Sequence, residues 1–222
     1  MPEGISRFLS EQDLVRISQA VKEAERKTSG EIVPYVVEQS DAYEAAVWRA
    51  GAMAFAFVLA IFGLIRSVSD VWPQVGLTGV ILASFLLSTT MMVLVWTIPS
   101  FRRVFVGEEL EERRVAQRAS EAFLTEEVFN TKDRTGILIF VSLLEHKVIV
   151  MGDSGISSRV TNAEWGEVTR SVVDGMKAGK PAEGLIDAIR KSGSLLERKG
   201  ITPRANDRDE LEDRLRTEED RE

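Results

Sequence analysis

Three acids stand beside segments that read as strands: Glu31 before "IVPYVV", Asp41 in "SDAY" after it, and Asp153 in "GDSG". Loops at strand ends are where an open α/β sheet usually carries its chemistry. In the glycine-bounded turn of "GDSG", a carboxylate and backbone carbonyls could hold a hard cation. An aspartate in such a turn also commonly stabilises its own backbone. Asp41 could join the same site or begin the helix that follows it. EF-hand spacing is absent, so a metal site needs Asp153, Asp41 and Glu31 to converge in space. Asp41 and Asp153 would then share one cation.

The remaining reactive side chains are weaker candidates. Arg134 in "RTGILIF" could meet an anion, but Asp133 beside it makes a solvated pair the simpler reading. His146 could act as a base near neutral pH, yet a turn histidine with no partner in the sequence reads as exposed. Ser154 lacks a relay, because the single histidine lies eight residues upstream across a hairpin. No cofactor is certain from these residues; calcium or another divalent cation is the candidate.

Composition removes several classes. A net charge of −7 argues against a nucleic-acid partner. The absence of cysteine excludes disulfides, thiolate nucleophiles and Cys-ligated zinc. One histidine excludes HExxH and two-histidine metal sites. The opening "MPEGISRFLSEQDLVRISQ" is polar and acidic, so no cleaved export signal is expected.

The elements that would position these residues are interrupted by a long apolar stretch. Residues 46–65 contain only Arg49, and residues 75–98 contain no charge. A bilayer core takes about 20 helical residues to cross. The short connection makes the two spans antiparallel neighbours. Trp48, Trp72 and Trp96 fall at span ends, where amphipathic rings prefer the interface. Small residues (Ala50, Gly51 and Ala54; Gly76, Gly79 and Ala83) would allow close helix contact. Arg49, Arg102, Arg103, Arg113 and Arg114 flank the outer ends, with only Arg66 in the connection. The positive-inside rule then puts both termini in the cytoplasm and the spans in the inner membrane. The bilayer is thus the first expected partner.

On either side lie soluble pieces. "LSEQDLVRISQAVKEAERKTSG" reads as a helix capped by Ser10 with Asp13, and "EIVPYVVE" as a strand. Pro34 suggests an edge strand or a bulge. After the hairpin come a charged helix, two strands around a turn near Glu145 and His146, and two more helices. The first of those helices opens with a Thr161/Glu164 capping box. An isolated strand needs a sheet, so the halves are expected to form one split α/β domain. Its parts are 1–45 and 100–200, around a hairpin at 46–99, with 201–222 as a charged mobile tail.

"AERKTSGEIVPYVVEQSD", "RTGILIFVSLLEHKVIVMGDSGIS" and "EWGEVTRSVVDGMKAGKPAEGLIDAI" together resemble the TPM domain. The likeness runs from about Phe8 to Leu196. It is carried by the TSGEI strand start, the RTG-plus-apolar strand, the V-x-V-x-x-D-x-G-I exit and the downstream Trp165. It is nearest to the bacterial branch, in which a transmembrane hairpin follows the first strand. The family includes thylakoid photosystem II repair proteins and a nematode receptor accessory protein. The resemblance implies a mixed sheet sandwiched between helices. Some plant members are acid phosphatases with bound calcium, and others are assembly or accessory factors. This chain lacks the D-x-A-G-x-L opening of exported members. The expected role is a membrane-tethered binding or assembly module for another membrane protein. The alternatives that the resemblance implies are a metal-dependent, phosphatase-type hydrolase using Asp41 and Asp153, and a calcium-binding accessory protein that shares the site without turnover.

Overall fold

A computed structural model describes residues 3–6, 8–68, 76–203 and 210–218. The helices are α1 (Glu3–Ser6), α2 (Glu11–Glu25), α3 (Glu44–Val68), α4 (Leu77–Thr97), α5 (Pro99–Phe105), α6 (Glu108–Thr125), α7 (Ser154–Ser157), α8 (Asn162–Lys177) and α9 (Pro181–Arg198). The strands are β1 (Ile32–Val37), β2 (Ile137–Ser142), β3 (Lys147–Gly152) and β4 (Arg216–Thr217). The chain divides into two compact units, residues 1–40 with 113–222, and residues 41–112.

The first unit is built on a four-stranded mixed sheet in the order β3-β2-β1-β4. β1 runs parallel to β2 and to β4, and β2 runs antiparallel to β3. Successive side chains of a strand point to opposite faces, and both faces here are apolar. Ile137, Ile139 and Val141 of β2 face a core with Ile17 and Val21 of α2, Val168 and Val172 of α8, and Leu185 and Ile189 of α9. Leu138 and Phe140 face a second core with Val33 and Tyr35 of β1 and Val115, Ala119 and Ala122 of α6. This is the expected sheet between helices. It explains the unbroken apolar run of β2, since a strand covered on both sides need not alternate with polar residues.

The helices begin where their caps put them. Ser10 and Asp13 form a capping box at α2, and Thr161 and Glu164 form one at α8. α8 and α9 cross at two glycines. A Cβ on Gly175 would lie 2.5 Å from the Gly184 Cα, and one on Gly184 would lie 2.8 Å from the Gly175 Cα. Only glycine permits that approach.

Two expectations change. Pro34 lies in an internal strand, without a bulge: its register partner is Ile139 and the pairing is continuous from Ile32 to Val37. Ile137 N donates to Glu31 O, and Leu143 N donates to Val37 O. Odd-numbered residues of β1 therefore bond to β2, and Pro34 is turned to the other side. There β4 pairs only with Tyr35 and Val36, so the missing N–H leaves no ladder bond open. The second change is the tail. Of the segment 201–222 expected to be mobile, 204–209 and 219–222 lie outside the described residues, and Arg216–Thr217 form β4. Leu215 is buried, Leu211 packs against the second core, and Arg216 bonds the Glu126 carbonyl and carboxylate at 3.0 Å.

The second unit holds α3 and α4, packed side by side. At about 1.5 Å per residue they reach about 37 and 31 Å, enough for a hydrocarbon core of about 30 Å. They run 25 and 21 residues, and only 11% and 17% of their most apolar stretches are buried. A core helix of a soluble protein would be mostly covered. Ala50, Gly51 and Ala54 form the contact face of α3 as expected. On α4 the buried residues are Val80, Ser84 and Val95, while Gly76 and Ala83 are exposed. The Ser88 hydroxyl donates to the Gly51 carbonyl at 2.9 Å, and a Cβ on Gly51 would lie 2.7 Å from Met92 Cγ.

Leu215→Ala tests the docked tail. Removing a buried leucine side chain costs about 2–5 kcal/mol. A lowered unfolding midpoint is expected, and an unchanged one would mean that residues 210–218 do not pack on the sheet.

Candidate functional site

Asp153 is the N-cap of α7, and its side chain accepts from Ser154 N at 2.5 Å. The carboxylate is buried, at 5% exposure, and its Oδ2 lies 2.8 Å from Arg134 Nε. The two are close enough for an ion pair but out of hydrogen-bond alignment. Arg134 has φ +56° and lies over the Phe129 ring, 5.4 Å from its centroid. Backbone bonds staple the same corner: Asp153 N donates to Gly136 O, and Gly155 N to Arg134 O, both at 2.9 Å. A Cβ on Gly155 would lie 2.3 Å from Asp133 O, so the second glycine of "GDSG" allows the close approach. The turn is thus bound to the start of β2. The Arg134 guanidinium turns to Asp153, where the sequence suggested Asp133.

Glu31 lies at the same end of the sheet, since Ile137 N donates to its carbonyl at 2.8 Å. Its buried carboxylate accepts from Glu210 N at 3.3 Å. Two further acids adjoin it. Glu25 accepts from Ile32 N at 2.7 Å and shares a side-chain hydrogen bond with Asp213. Asp213 is almost fully covered and lies 3.7 Å from Lys22 Nζ. Burial, and then the bond to Asp213, push the Glu25 carboxyl from 4.5 up to about 10; the nearby Glu31 charge acts in the same direction. Glu25 therefore carries its proton at neutral pH and can donate it to the tail carboxylate.

Asp41 belongs to the second unit, where its Oδ1 accepts from Tyr43 N at 2.7 Å; Tyr43 has φ +49°. This is an Asx turn leading into α3. Ser40, the residue before it, stands beyond the far end of β1. Six strand residues separate Glu31 from Glu38, about 20 Å of chain. Among the described residues, no group of three or more His, Asp or Glu side chains could hold a metal ion.

The far end of β1 holds an acid that sequence reasoning did not single out. Glu145 is 1% exposed. It accepts from Ser40 N at 2.9 Å and from the Ser142 hydroxyl, which also lies 2.8 Å from the Ser40 hydroxyl. Glu145 thus fixes the exit of β1, where the chain leaves the sheet. The signal available in sequence was "SLLEHK": two leucines in a hairpin turn mark a turn that is packed rather than solvated.

The residues expected at a membrane interface divide in two. Trp48 and Trp96 are 70% and 67% exposed, and Trp72 lies outside the described residues. The arginines have protein partners. Arg102 donates to the carbonyls of Val95, Trp96 and Ala42 at 3.2, 2.7 and 3.2 Å. It thereby closes the C-terminus of α4, where a cation is favoured. Arg103 pairs with buried Glu111 at 3.4 Å, and Arg49 reaches the Phe105 carbonyl at 3.4 Å.

The Glu25 geometry sets a pH dependence. A carboxyl with a raised folded pKa contributes stability that is complete below the unfolded pKa. That stability is lost as pH rises through the folded value. The window for Glu25 runs from about 4.5 to about 10. Glu25→Gln imitates the protonated form. It should match the parent near pH 4.5 and exceed it by a margin that grows at about 1.4 kcal/mol per pH unit, to several kcal/mol near pH 8. Unfolding midpoints across that range are the readout, and a pH-independent difference would contradict the assignment.

The sequence model of the TPM domain matches residues 81–195, more than half of the 222 residues. The match contains Arg134, Glu145 and Asp153, and excludes Glu31 and Asp41. No curated protein matches the sequence. Among solved structures, the NMR structure of BA42 protein from the psychrophilic bacterium Bizionia argentinensis is similar, with a TM-score of 0.57. That similarity covers 95% of each chain at 20% identity, which is a likeness of fold. On the matched segment and the helix-covered mixed sheet, the chain belongs to the TPM domain family.

Proposed function

We propose that this TPM-domain protein is an integral protein of the inner membrane, with both termini cytoplasmic, and that its α/β unit binds or helps assemble another membrane protein. The observation that carries the reading is the apolar exposure of α3 and α4. Phe57, Leu64, Leu82 and Leu86 are each at least 60% exposed on helices long enough to cross a bilayer. Water would make that surface costly, and lipid removes the cost. The flanking arginines set the orientation.

A binding role is favoured over a phosphohydrolase or a calcium-binding protein by what the acids are doing. Asp153 is engaged by Arg134 and Ser154, Glu31 by Glu210, and Asp41 by Tyr43. Each holds a local turn or segment in place. A hydrolytic or calcium site would need these carboxylates to turn together on one cation.

Membranes containing the protein should retain it through an alkaline carbonate wash. A mild-detergent extract should then yield it with a second membrane protein at fixed stoichiometry. Release by carbonate contradicts the anchoring, and a purified chain that reproducibly runs alone contradicts the assembly role.

A further inference from the structure

A cleft of about 390 Å³ lies in the α/β unit, at the corner where α8 hands over to α9. The last turns of α8 supply Val173, Met176 and Lys177. Gly179, at φ +71°, and Pro181, at the start of α9, form the rim. The lining also includes Phe8, which is 45% exposed, and exposed His146 in the β2–β3 turn, at φ +52°.

The lining has a clear chemical bias. Its walls are apolar side chains and glycine backbone, and its volume falls in the range of small-molecule sites, about 300–1,000 Å³. Among the described residues that line it, the polar side chains are Lys177 and His146, both able to carry positive charge, and none is an acid. That is a reversal of the chain's overall balance of −7. Two basic groups at one apolar cleft select a ligand with one anionic end and an apolar body. A dianion such as phosphate would leave most of the wall uncovered and would lack donors for its other oxygens. We propose that this cleft binds a small organic acid, with its carboxylate at Lys177 and His146 and its apolar body against Val173, Met176 and Phe8.

The chain has a single histidine, and it lines the cleft, so its imidazole NMR signals report occupancy directly. The probe is phenylbutyrate, titrated into the full-length protein in lipid nanodiscs, with phenylbutyramide as the neutral counterpart. The expected result is a saturable shift of the His146 signals by the acid. The amide should bind about tenfold or more weakly. Lys177→Gln should weaken the acid to the level of the amide while leaving the unfolding midpoint unchanged. Val173→Phe, which fills the cleft from an intermediate position, should abolish both shifts. The absence of a saturable shift up to about 10 mM, beyond the weakest useful affinity, overturns the proposal. So does equal binding of acid and amide, or undiminished binding of the acid by Lys177→Gln.

Discussion

Parallel pairing of β1 with β2 can form only after the chain has travelled from Val37 to Ile137, because parallel neighbours need a crossover and cannot be joined by a tight turn. β1 is buried on both faces and cannot persist unpaired. Its partners all lie beyond α3 to α6. The register that closes the sheet is therefore the most distant decision the fold makes, and the two cores wait on it. Tyr35 and Phe140 are register partners and stack at 5.8 Å, with their rings 12° from parallel. At one end of this pair Ile137 N meets Glu31 O, and at the other Glu145 holds Ser40 as the chain departs.

Electrostatics follow from the same pairing. Bringing β1, β2 and β4 together collects Glu31, Glu25 and Asp213 at one end, where burial makes more than one negative charge expensive. Protonation of Glu25 relieves that and supplies a donor for the tail. Across β2, Asp153 is matched by Arg134. Asp153, Glu31 and Asp41 each bond a neighbouring strand end, tail or turn. The second unit solves a different problem. Its helices leave large apolar side chains uncovered, while Arg102 satisfies the carbonyls that end α4.

Much of this was legible in the residues. Capping boxes at Ser10 and Thr161, the apolar run of β2 and the two long apolar stretches each rest on local chemistry, and each appears in the structure. What was not legible depends on distant partners. β4 is two residues long in a charged segment, and its strand character comes from Tyr35 and Val36, far upstream. Pro34 looked like an edge residue because a sequence cannot show on which side β4 stops. Glu145 served in the sequence only to mark a turn, while its hydrogen-bond partners include Ser40, 105 residues away. On α4, Gly76 and Ala83 are exposed, and the residues that meet Gly51 of α3 are Ser88 and Met92.

The central claim is that α3 and α4 carry the chain across a membrane and back. The chain has no cysteine, so single cysteines can be introduced one at a time. Ser69→Cys marks the connection between the helices, and Ser194→Cys marks an exposed position of α9. In spheroplasts, a membrane-impermeant maleimide should label the cysteine at 69 at once, and the cysteine at 194 only after the membrane is opened. Equal labelling of the two from outside, or protection of both until the membrane is opened, would contradict a hairpin that spans the bilayer.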